Sequence, residues 1–187
     1  MGYSQAQKKE NHDRIVAIAA RRFRETGLDG LSVAAIMKEA GLTHGGFYAH
    51  FASRDDMVAQ ALEYAFREDE ERLTRAMGRR GGASLGAFLD VYLSPAHRDT
   101  PGQGCTLAAV ACEAARKDDT VKALFAARID GYAKCLGPEL GLTEAQMITV
   151  LSASAGALVL SRTVPDGGMS DAILTSARQE LRARFGQ

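Results

Sequence analysis

The segment from Ser32 to Met57 constrains the fold of this chain more than any other stretch of its sequence. Two short helical patterns meet there at a turn of three or four residues whose pivot is Gly41, and this is the spacing of a helix-turn-helix. Gly41 can adopt a positive φ without strain because it has no Cβ atom. Ala35 is small enough to let a second helix cross closely, and Leu42 can fill the core at the turn. The segment therefore predicts two closely packed helices.

The periodicity of the rest of the chain is also helical, and no segment shows a convincing run of alternating β-branched residues. We expect an all-α fold in which a three-helix N-terminal domain, residues 1–53, is joined by a fourth helix to a second all-α domain, residues 54–187. Ser32, Thr43 and Ser53 are the predicted N-caps of the second, third and fourth helices. The helices are predicted at about residues 9–26, 33–40, 43–50, 53–80, 85–94, 105–117, 118–136, 143–163 and 170–185, with a loop over 97–104.

The composition excludes several classes of protein. Of the 187 residues, 46% are hydrophobic and 25% are charged, which is the balance of a globular chain and not of a disordered one. The 23 basic and 23 acidic residues cancel, so binding to a polyanion must come from a local patch. Residues 1–54 hold eight basic and five acidic side chains, a modest local excess of three positive charges. Three cysteines fit a reducing compartment, and the polar start of the chain has no secretory signal, so we expect a cytoplasmic protein.

Three runs of residues carry a resemblance to a known family. Together they follow the pattern of a glycine turn, an aromatic-rich short helix, and a capped start of a long helix. The three runs are Ala40-Gly41-Leu42-Thr43, Gly45-Gly46-Phe47-Tyr48-Ala49-His50-Phe51 and Ser53-Arg54-Asp55-Asp56-Met57. The resemblance is to the TetR family of bacterial repressors and covers about residues 10–60.

The resemblance implies that the short helix enters the major groove of DNA. Its first residues would contact base edges and nearby phosphates, and later ones would contact the DNA backbone, with an arginine where the family usually has lysine. Two consecutive glycines, Gly45 and Gly46, weaken a helix by roughly 1 kcal/mol each and suggest a close approach of the protein backbone to DNA. The implied DNA-binding residues are Ser32, Thr43, His44, Gly45, Tyr48, His50 and Arg54.

The last two helices are the predicted dimer surface. Residues 145–160 are apolar almost all round, so this helix should be buried on both sides, although it is too short and too polar to span a membrane. The final helix carries a single apolar stripe. Resemblance to the family points to a four-helix bundle between two subunits, and to an effector pocket among the middle helices. Candidate pocket residues are Phe88, Tyr92, Leu107, Val110, Leu124 and Tyr132.

Cys105 is a candidate sensor because it follows Pro-Gly-Gln-Gly and opens a helix, where backbone amides lower the pKa of a thiol. Its Gly-Cys-x-Leu context, with Glu113 eight residues later, is similar to a branch of the family that includes electrophile- or oxidant-responsive repressors. Cys112 should lie on the same helix face, about two turns later. The alternative is an inert buried thiol, since a free cysteine packs as a small hydrophobic residue.

These patterns favour a DNA-binding transcriptional regulator, most readily a repressor released from its operator by a small-molecule or thiol-reactive inducer. One alternative is a helical enzyme with Cys105 as nucleophile, for which His97 is the only histidine beyond residue 50 and shows no triad spacing. The other is an adaptor that binds a protein through residues 145–160. We expect no cofactor and no membrane contact. We also expect no metal site, because His44 and His50 are six residues apart, not the four that would place both on one face of a helix.

Overall fold

The computed structural model describes residues 4–186, and every regular element in that range is helical, as the sequence predicts. Short 3₁₀ helices cover His44–Ala49 and Pro101–Gln103, and a π-helical turn covers Tyr132–Leu136. The α-helices are α1 (Gln5–Thr26), α2 (Val33–Glu39), α3 (Arg54–Gly78), α4 (Leu85–Tyr92), α5 (Pro95–Asp99), α6 (Thr106–Ala114), α7 (Asp119–Gly131), α8 (Gly137–Glu139), α9 (Glu144–Thr163) and α10 (Gly167–Phe185).

The helix starts in the N-terminal region follow from their caps. The Ser32 hydroxyl accepts a hydrogen bond of 3.3 Å from the Ala35 amide, and the Ser53 hydroxyl accepts one of 3.0 Å from the Asp56 amide. The Asp56 carboxylate reaches back to the Ala52 amide at 2.8 Å, one residue before the cap. Gly41 adopts a φ of 73°, so the turn after α2 uses the conformation that glycine alone tolerates well.

The short helix differs from its prediction in two respects. It is a 3₁₀ helix over His44–Ala49, and the Thr43 side chain makes no capping hydrogen bond. Gly45 and Gly46 remove the helix propensity that would favour α geometry, so a single tight turn held by packing remains. Ala35 is exposed and is not the point of close crossing. Instead, Gly46 lies against Met37, whose Cε would be 3.7 Å from a Cβ at residue 46.

The predicted loop over residues 97–104 is largely helical. Ser94 caps α5 by accepting a hydrogen bond from the His97 amide, and Pro95 occupies the first turn, where its missing N–H costs nothing. The 3₁₀ turn Pro101–Gln103 follows and packs on α1. Pro95 and Pro101 therefore each start a helix here.

The hydrophobic core is continuous from one end of the chain to the other. In the N-terminal region Ile15, Phe23, Met37, Phe47 and Phe51 are buried together between α1, α2, the short helix and α3. The same cluster continues along α3 into α4, α6, α7, α9 and α10. Because α3 belongs to both parts, a movement in the C-terminal helices can be transmitted to the short helix through packed side chains.

Helix α9 has 20 residues and is, in the described range, the one helix that is long and apolar enough to cross a membrane by length and composition. The helix is longer than the apolar segment 145–160 considered in the sequence, which is why its length and composition alone would allow a span. Its packing is that of a core helix in a globular domain, since Met147, Val150 and Leu158 are fully buried and it lies against α10 along its length.

Candidate nucleic-acid interface and inner cavity

The short helix divides into a buried side and an exposed side. Phe47 and Phe51 are buried with their rings stacked 5.4 Å apart, which fixes the helix against the core. Thr43, His44, Gly45 and Tyr48 are exposed on the other side. The structure therefore brings four of the seven predicted DNA-binding residues onto one solvent-facing surface, which we call the short-helix face.

Tyr48 is 74% exposed, and its ring packs edge-on against Phe47 at 5.2 Å between ring centroids. A large aromatic side chain exposed to this degree contributes little to the stability of the monomer. Its hydroxyl group is free to donate a hydrogen bond to a phosphate oxygen. Ser32 is exposed as well, but its hydroxyl already accepts the hydrogen bond that caps α2.

His50 is half-buried at the end of the short helix. Its Nδ1 atom is buried and has no hydrogen-bond partner among residues 4–186. Burial, with smaller contributions from His12 and Lys8, lowers the pKa of His50. The imidazole is therefore mostly neutral at pH 7 and supplies a hydrogen-bonding group, not a positive charge, at this surface.

Arg54 opens α3 and donates a hydrogen bond of 2.6 Å from Nη2 to the carbonyl oxygen of Leu28. This contact ties the start of α3 to the loop between α1 and α2. The side chain is still partly exposed, so its remaining N–H groups can reach solvent. Arg54 therefore has a positioning role that the sequence did not suggest, in addition to the expected phosphate contact.

Most of the basic side chains in the first 54 residues form ion pairs with carboxylates of the same chain. Arg21 and Arg22 both pair with Glu39, and Arg24 is buried and bonds Asp69 at 2.9 Å. Lys38, in the last turn of α2, is exposed and makes no ion pair within the described part of the chain. Lys38 is thus a further candidate phosphate contact, and its position at the end of α2 was the signal that could have identified it.

A cavity of about 300 Å³ lies between α3, the α4–α5 segment, Cys105 and Tyr132. Two of the predicted effector-pocket residues, Tyr92 and Tyr132, line it together with the candidate sensor Cys105. Phe88, Leu107 and Val110 do not, because they are buried in the core, and Leu124 is half-buried against that core. Apolar spacing alone could not separate the two groups. Polar lining residues that the sequence reasoning missed include Arg72, Arg79, Arg80 and His97.

Cys105 and His97, eight residues apart in sequence, meet at the wall of this cavity. The His97 Nε2 atom accepts a hydrogen bond of 2.9 Å from the Cys105 amide, and the Nδ1–H group donates to the Tyr92 carbonyl oxygen at 2.7 Å. Burial is the main cause that lowers the pKa of His97 to about 4. Both ring nitrogens are engaged with the backbone, so His97 is not free to accept the thiol proton.

The expected activation of Cys105 is wrong on this geometry. The residue precedes α6 as its cap, but its side chain is buried, and this burial raises the pKa of the thiol. Desolvation of the thiolate outweighs the attraction of the helix N-terminus. Cys112 is exposed and so does not share a face with Cys105, because the extended backbone at Cys105 breaks the helical phase.

Two sets of hydrogen bonds connect α6 to the N-terminal region. At its start, the Thr106 amide donates to the Asp69 carboxylate at 2.7 Å, and Asp69 also binds the buried Arg24 of α1. At its other end, the Glu113 carboxylate accepts from the Leu28 amide at 2.8 Å. The cavity wall and the helix-turn-helix are therefore linked through α6 at both of its ends.

Comparisons with known proteins agree with this architecture. Residues 15–61 match the family described as bacterial regulatory proteins, tetR family. The chain is 41% identical over 55 residues to an HTH-type transcriptional regulator of Staphylococcus aureus, a match that covers 29% of this chain and 30% of that one. It is 33% identical over 55 residues to the uncharacterized HTH-type transcriptional regulator YerO of Bacillus subtilis, covering 29% of this chain and 19% of YerO.

The chain thus matches less than a third of the length of these curated relatives. The similarity to solved structures extends further. A TetR transcriptional regulator from Chloroflexus aurantiacus superposes with a TM-score of 0.79 at 25% identity over 98% of both chains. The likeness therefore includes the C-terminal helices as well as the helix-turn-helix.

Proposed function

We propose, from the premise that this chain is a TetR family transcriptional regulator, that it binds operator DNA through the short-helix face and releases it when the inner cavity is occupied. The observation that carries the proposal is the division of the short helix into buried Phe47 and Phe51 and exposed Thr43, His44, Gly45 and Tyr48. A helix held from behind by aromatic packing, with small and polar groups in front, suits insertion into a major groove.

A two-fold dimer is part of this proposal because one short helix covers only half of an operator. Recognition helices of helix-turn-helix dimers lie about 34 Å apart, one turn of the DNA duplex. Helix α9 supports such a dimer, since it exposes a stripe of apolar and small residues at helical spacing. The stripe consists of Ala145, Ile148, Thr149, Ser152, Ala153, Gly156, Val159 and Leu160.

The regulatory step would follow from differential binding. An effector can release DNA only if it binds more tightly to the conformation in which the two short helices no longer match the groove spacing. The hydrogen bonds of Asp69 and Glu113 with the two ends of α6 provide a route by which occupancy of the cavity could change that spacing. We infer repression followed by induction, which is the simplest use of such coupling.

A cytoplasmic location is part of the same proposal, because the proposed operator lies on the chromosome. The sensor role of Cys105 receives less support. Its buried thiol and raised pKa favour the inert alternative over a reactive thiolate. Both ring nitrogens of His97 are engaged, so this histidine is not available to Cys105 as the base that the enzymatic alternative needs.

The experiment that tests the proposal is selection of genomic fragments by the purified protein, followed by fluorescence anisotropy on the enriched sequence and on a scrambled control. We expect preferential binding to the enriched fragment. The Tyr48→Phe variant should weaken binding to all sequences by a similar factor, about fivefold for one lost phosphate hydrogen bond. A variant that redirected sequence preference would contradict the phosphate contact, and a wild-type protein that binds no fragment above the control would refute the function.

A further inference from the structure

The inner end of the cavity is rich in hydrogen-bond donors. The Tyr92 side chain is only 2% exposed, and its hydroxyl group has no hydrogen-bond partner among the residues described. The Tyr132 side chain is 4% exposed, and its hydroxyl accepts a 3.3 Å hydrogen bond from Arg128. Its own proton has no acceptor in residues 4–186. Two tyrosines that line this space therefore keep buried phenol groups with unused donors, which is costly unless an acceptor reaches them.

The strongest acceptors that line the cavity are already occupied. One Asp69 carboxylate oxygen accepts from Arg24 and Arg72, and the other accepts from the Thr106 amide. His97 is neutral, and both of its ring nitrogens bond to the backbone. Apart from the Cys105 thiol, a weak acceptor beside Tyr92, the protein has little to offer the two phenol groups from within, and a bound molecule can supply a stronger acceptor.

The outer end of the cavity is positively charged. Arg79 and Arg80, at the end of α3, are exposed and make no ion pair within the described range. Arg72, the third arginine that lines the cavity, is balanced by the carboxylates of Glu68 and Asp69. The two outer arginines are thus uncompensated, and they favour the entry of an anion over that of a neutral molecule or a cation.

The middle of the cavity is apolar, with Leu73, Ala76 and Val91 along its wall. Its volume of about 300 Å³ is at the lower end of the range for small-molecule sites, which is roughly 300–1,000 Å³. A ligand that fills it has one polar end and a compact apolar body, of the size of a single ring or a short chain.

We propose that this cavity binds a small organic carboxylate, with the carboxylate oxygens accepting hydrogen bonds from the hydroxyl groups of Tyr92 and Tyr132 and the apolar body packed between α3 and α4. The outer arginines attract the anion to the entrance of the cavity. This assignment rests on the proposed function only in treating the bound carboxylate as the effector, because the binding itself requires no DNA.

The test is isothermal titration of the full-length, DNA-free protein with benzoate, phenylacetate and hexanoate. Neutral amides of the same three skeletons, and benzylamine as the cation, serve as matched probes. We expect saturable binding of at least one carboxylate, at least tenfold weaker binding of its amide and no binding of benzylamine, because a charged acceptor makes the stronger hydrogen bonds. Failure of all three carboxylates to bind, or equal binding of acid and amide, would overturn the proposal.

Variants locate the site. Tyr92→Phe removes only an unpartnered hydroxyl, so it should fold at least as stably as the wild type and bind the carboxylate about tenfold more weakly. The double variant Arg79→Gln/Arg80→Gln should lose a smaller factor, about threefold, and only at low salt. Arg75→Gln, on the same helix but paired with Glu71 and outside this cavity, should change nothing. Unchanged affinity in Tyr92→Phe would place the ligand elsewhere and overturn the assignment.

DNA binding, measured in parallel by anisotropy, separates the two claims. If the carboxylate binds but does not change affinity for the selected operator, the cavity assignment stands and its role as an effector site fails. If operator binding is intact and no carboxylate binds, the regulator stands and the ligand class is wrong.

Discussion

The Glu113 carboxylate on α6 accepts a hydrogen bond of 2.8 Å from the backbone amide of Leu28, which opens the loop between α1 and α2. The same oxygen is 3.3 Å from the Asp29 amide. A side chain at residue 27 would collide with this carboxylate, since a Cβ there would be 2.5 Å from Glu113 Oε1, and Gly27 has a φ of 82°. Residue 27 must therefore be a glycine, because it lies where Glu113 of α6 bonds to the loop between α1 and α2.

Replacing this carboxylate should loosen the connection. We expect Glu113→Ala to lower the free energy of unfolding by about 1 kcal/mol, because two backbone amides lose their acceptor in a partly exposed site. It should also reduce the change in DNA affinity that an effector causes. Urea unfolding and anisotropy with and without effector measure the two quantities. Glu180→Ala, an exposed glutamate on α10 without a hydrogen bond or ion pair in the described range, is the control.

Gly45 and Gly46 should respond differently to alanine. A Cβ at Gly45 meets nothing within 4 Å, so Gly45→Ala should fold normally and could affect DNA binding only through the space in front of the short helix. We expect at least a tenfold loss of operator affinity, because the added methyl group would hold the backbone away from the DNA. Gly46→Ala, whose Cβ would make ordinary contact with Met37, is the matched control and should lose less. Equal, small effects would show that neither glycine approaches DNA closely.

The exposed stripe of α9 predicts the effect of a charge at the proposed dimer surface. Ile148 on α9 is 46% exposed and Ile129 on α7 is 40% exposed, so they form a matched pair. We expect Ile148→Asp to convert the dimer to monomer at micromolar concentration, because burying an unpaired carboxylate is costly. Ile129→Asp should leave the dimer intact. Sedimentation velocity measures the outcome, and dimers that persist in Ile148→Asp would exclude α9 as the interface.

The buried ion pair of Arg24 should be far more sensitive than an exposed one. Arg24 is buried between Asp69 and Glu68, and Arg24→Met would leave the Asp69 carboxylate without its inner partner. We expect a loss of about 3–5 kcal/mol in the free energy of unfolding, the usual cost of breaking a buried pair. Arg22→Met, which breaks the exposed pair with Glu39, should cost about 0–1 kcal/mol. Urea unfolding at one fixed protein concentration compares them, and similar losses would contradict the burial of this network.

His97 predicts a dependence of stability on pH. Its pKa is about 4 in the folded protein against an ordinary value of 6.5, so between these values the unfolded chain binds a proton that the folded one does not. Stability should therefore fall as the pH drops, by about 2 kcal/mol between pH 7 and pH 5 from this residue. His50, whose pKa is also lowered, acts with the same sign.

The matched variant for this prediction is His97→Gln, which keeps an acceptor for the Cys105 amide but does not titrate. The difference in unfolding free energy between pH 7 and pH 5 should shrink in this variant. An unchanged difference would mean that other groups cause the pH dependence.

Much of the N-terminal region could be read from local chemistry. The caps at Ser32 and Ser53 and the positive φ at Gly41 depend on residues within a few positions of one another. Such signals survive in a linear sequence because the interacting groups are neighbours along the chain. The form of the short helix was harder to predict, since two glycines leave its geometry to be set by packing against Met37.

The cavity could not be read in the same way. Phe88 and Tyr92 are four residues apart on one helix, yet Phe88 is sealed in the core while Tyr92 lines the cavity. The hydrogen bond between Cys105 and His97 joins two different elements across eight residues, and the use of Arg24 in a buried network depends on Asp69, which is 45 residues away in sequence. The sequence by itself determined the helices, most of their caps and the resemblance of the helix-turn-helix segment to a known family, because these depend on residues that are close together in sequence. Only the tertiary structure decided which side chains are buried, paired or left without a partner, because desolvation and hydrogen bonding depend on all the elements that surround a group.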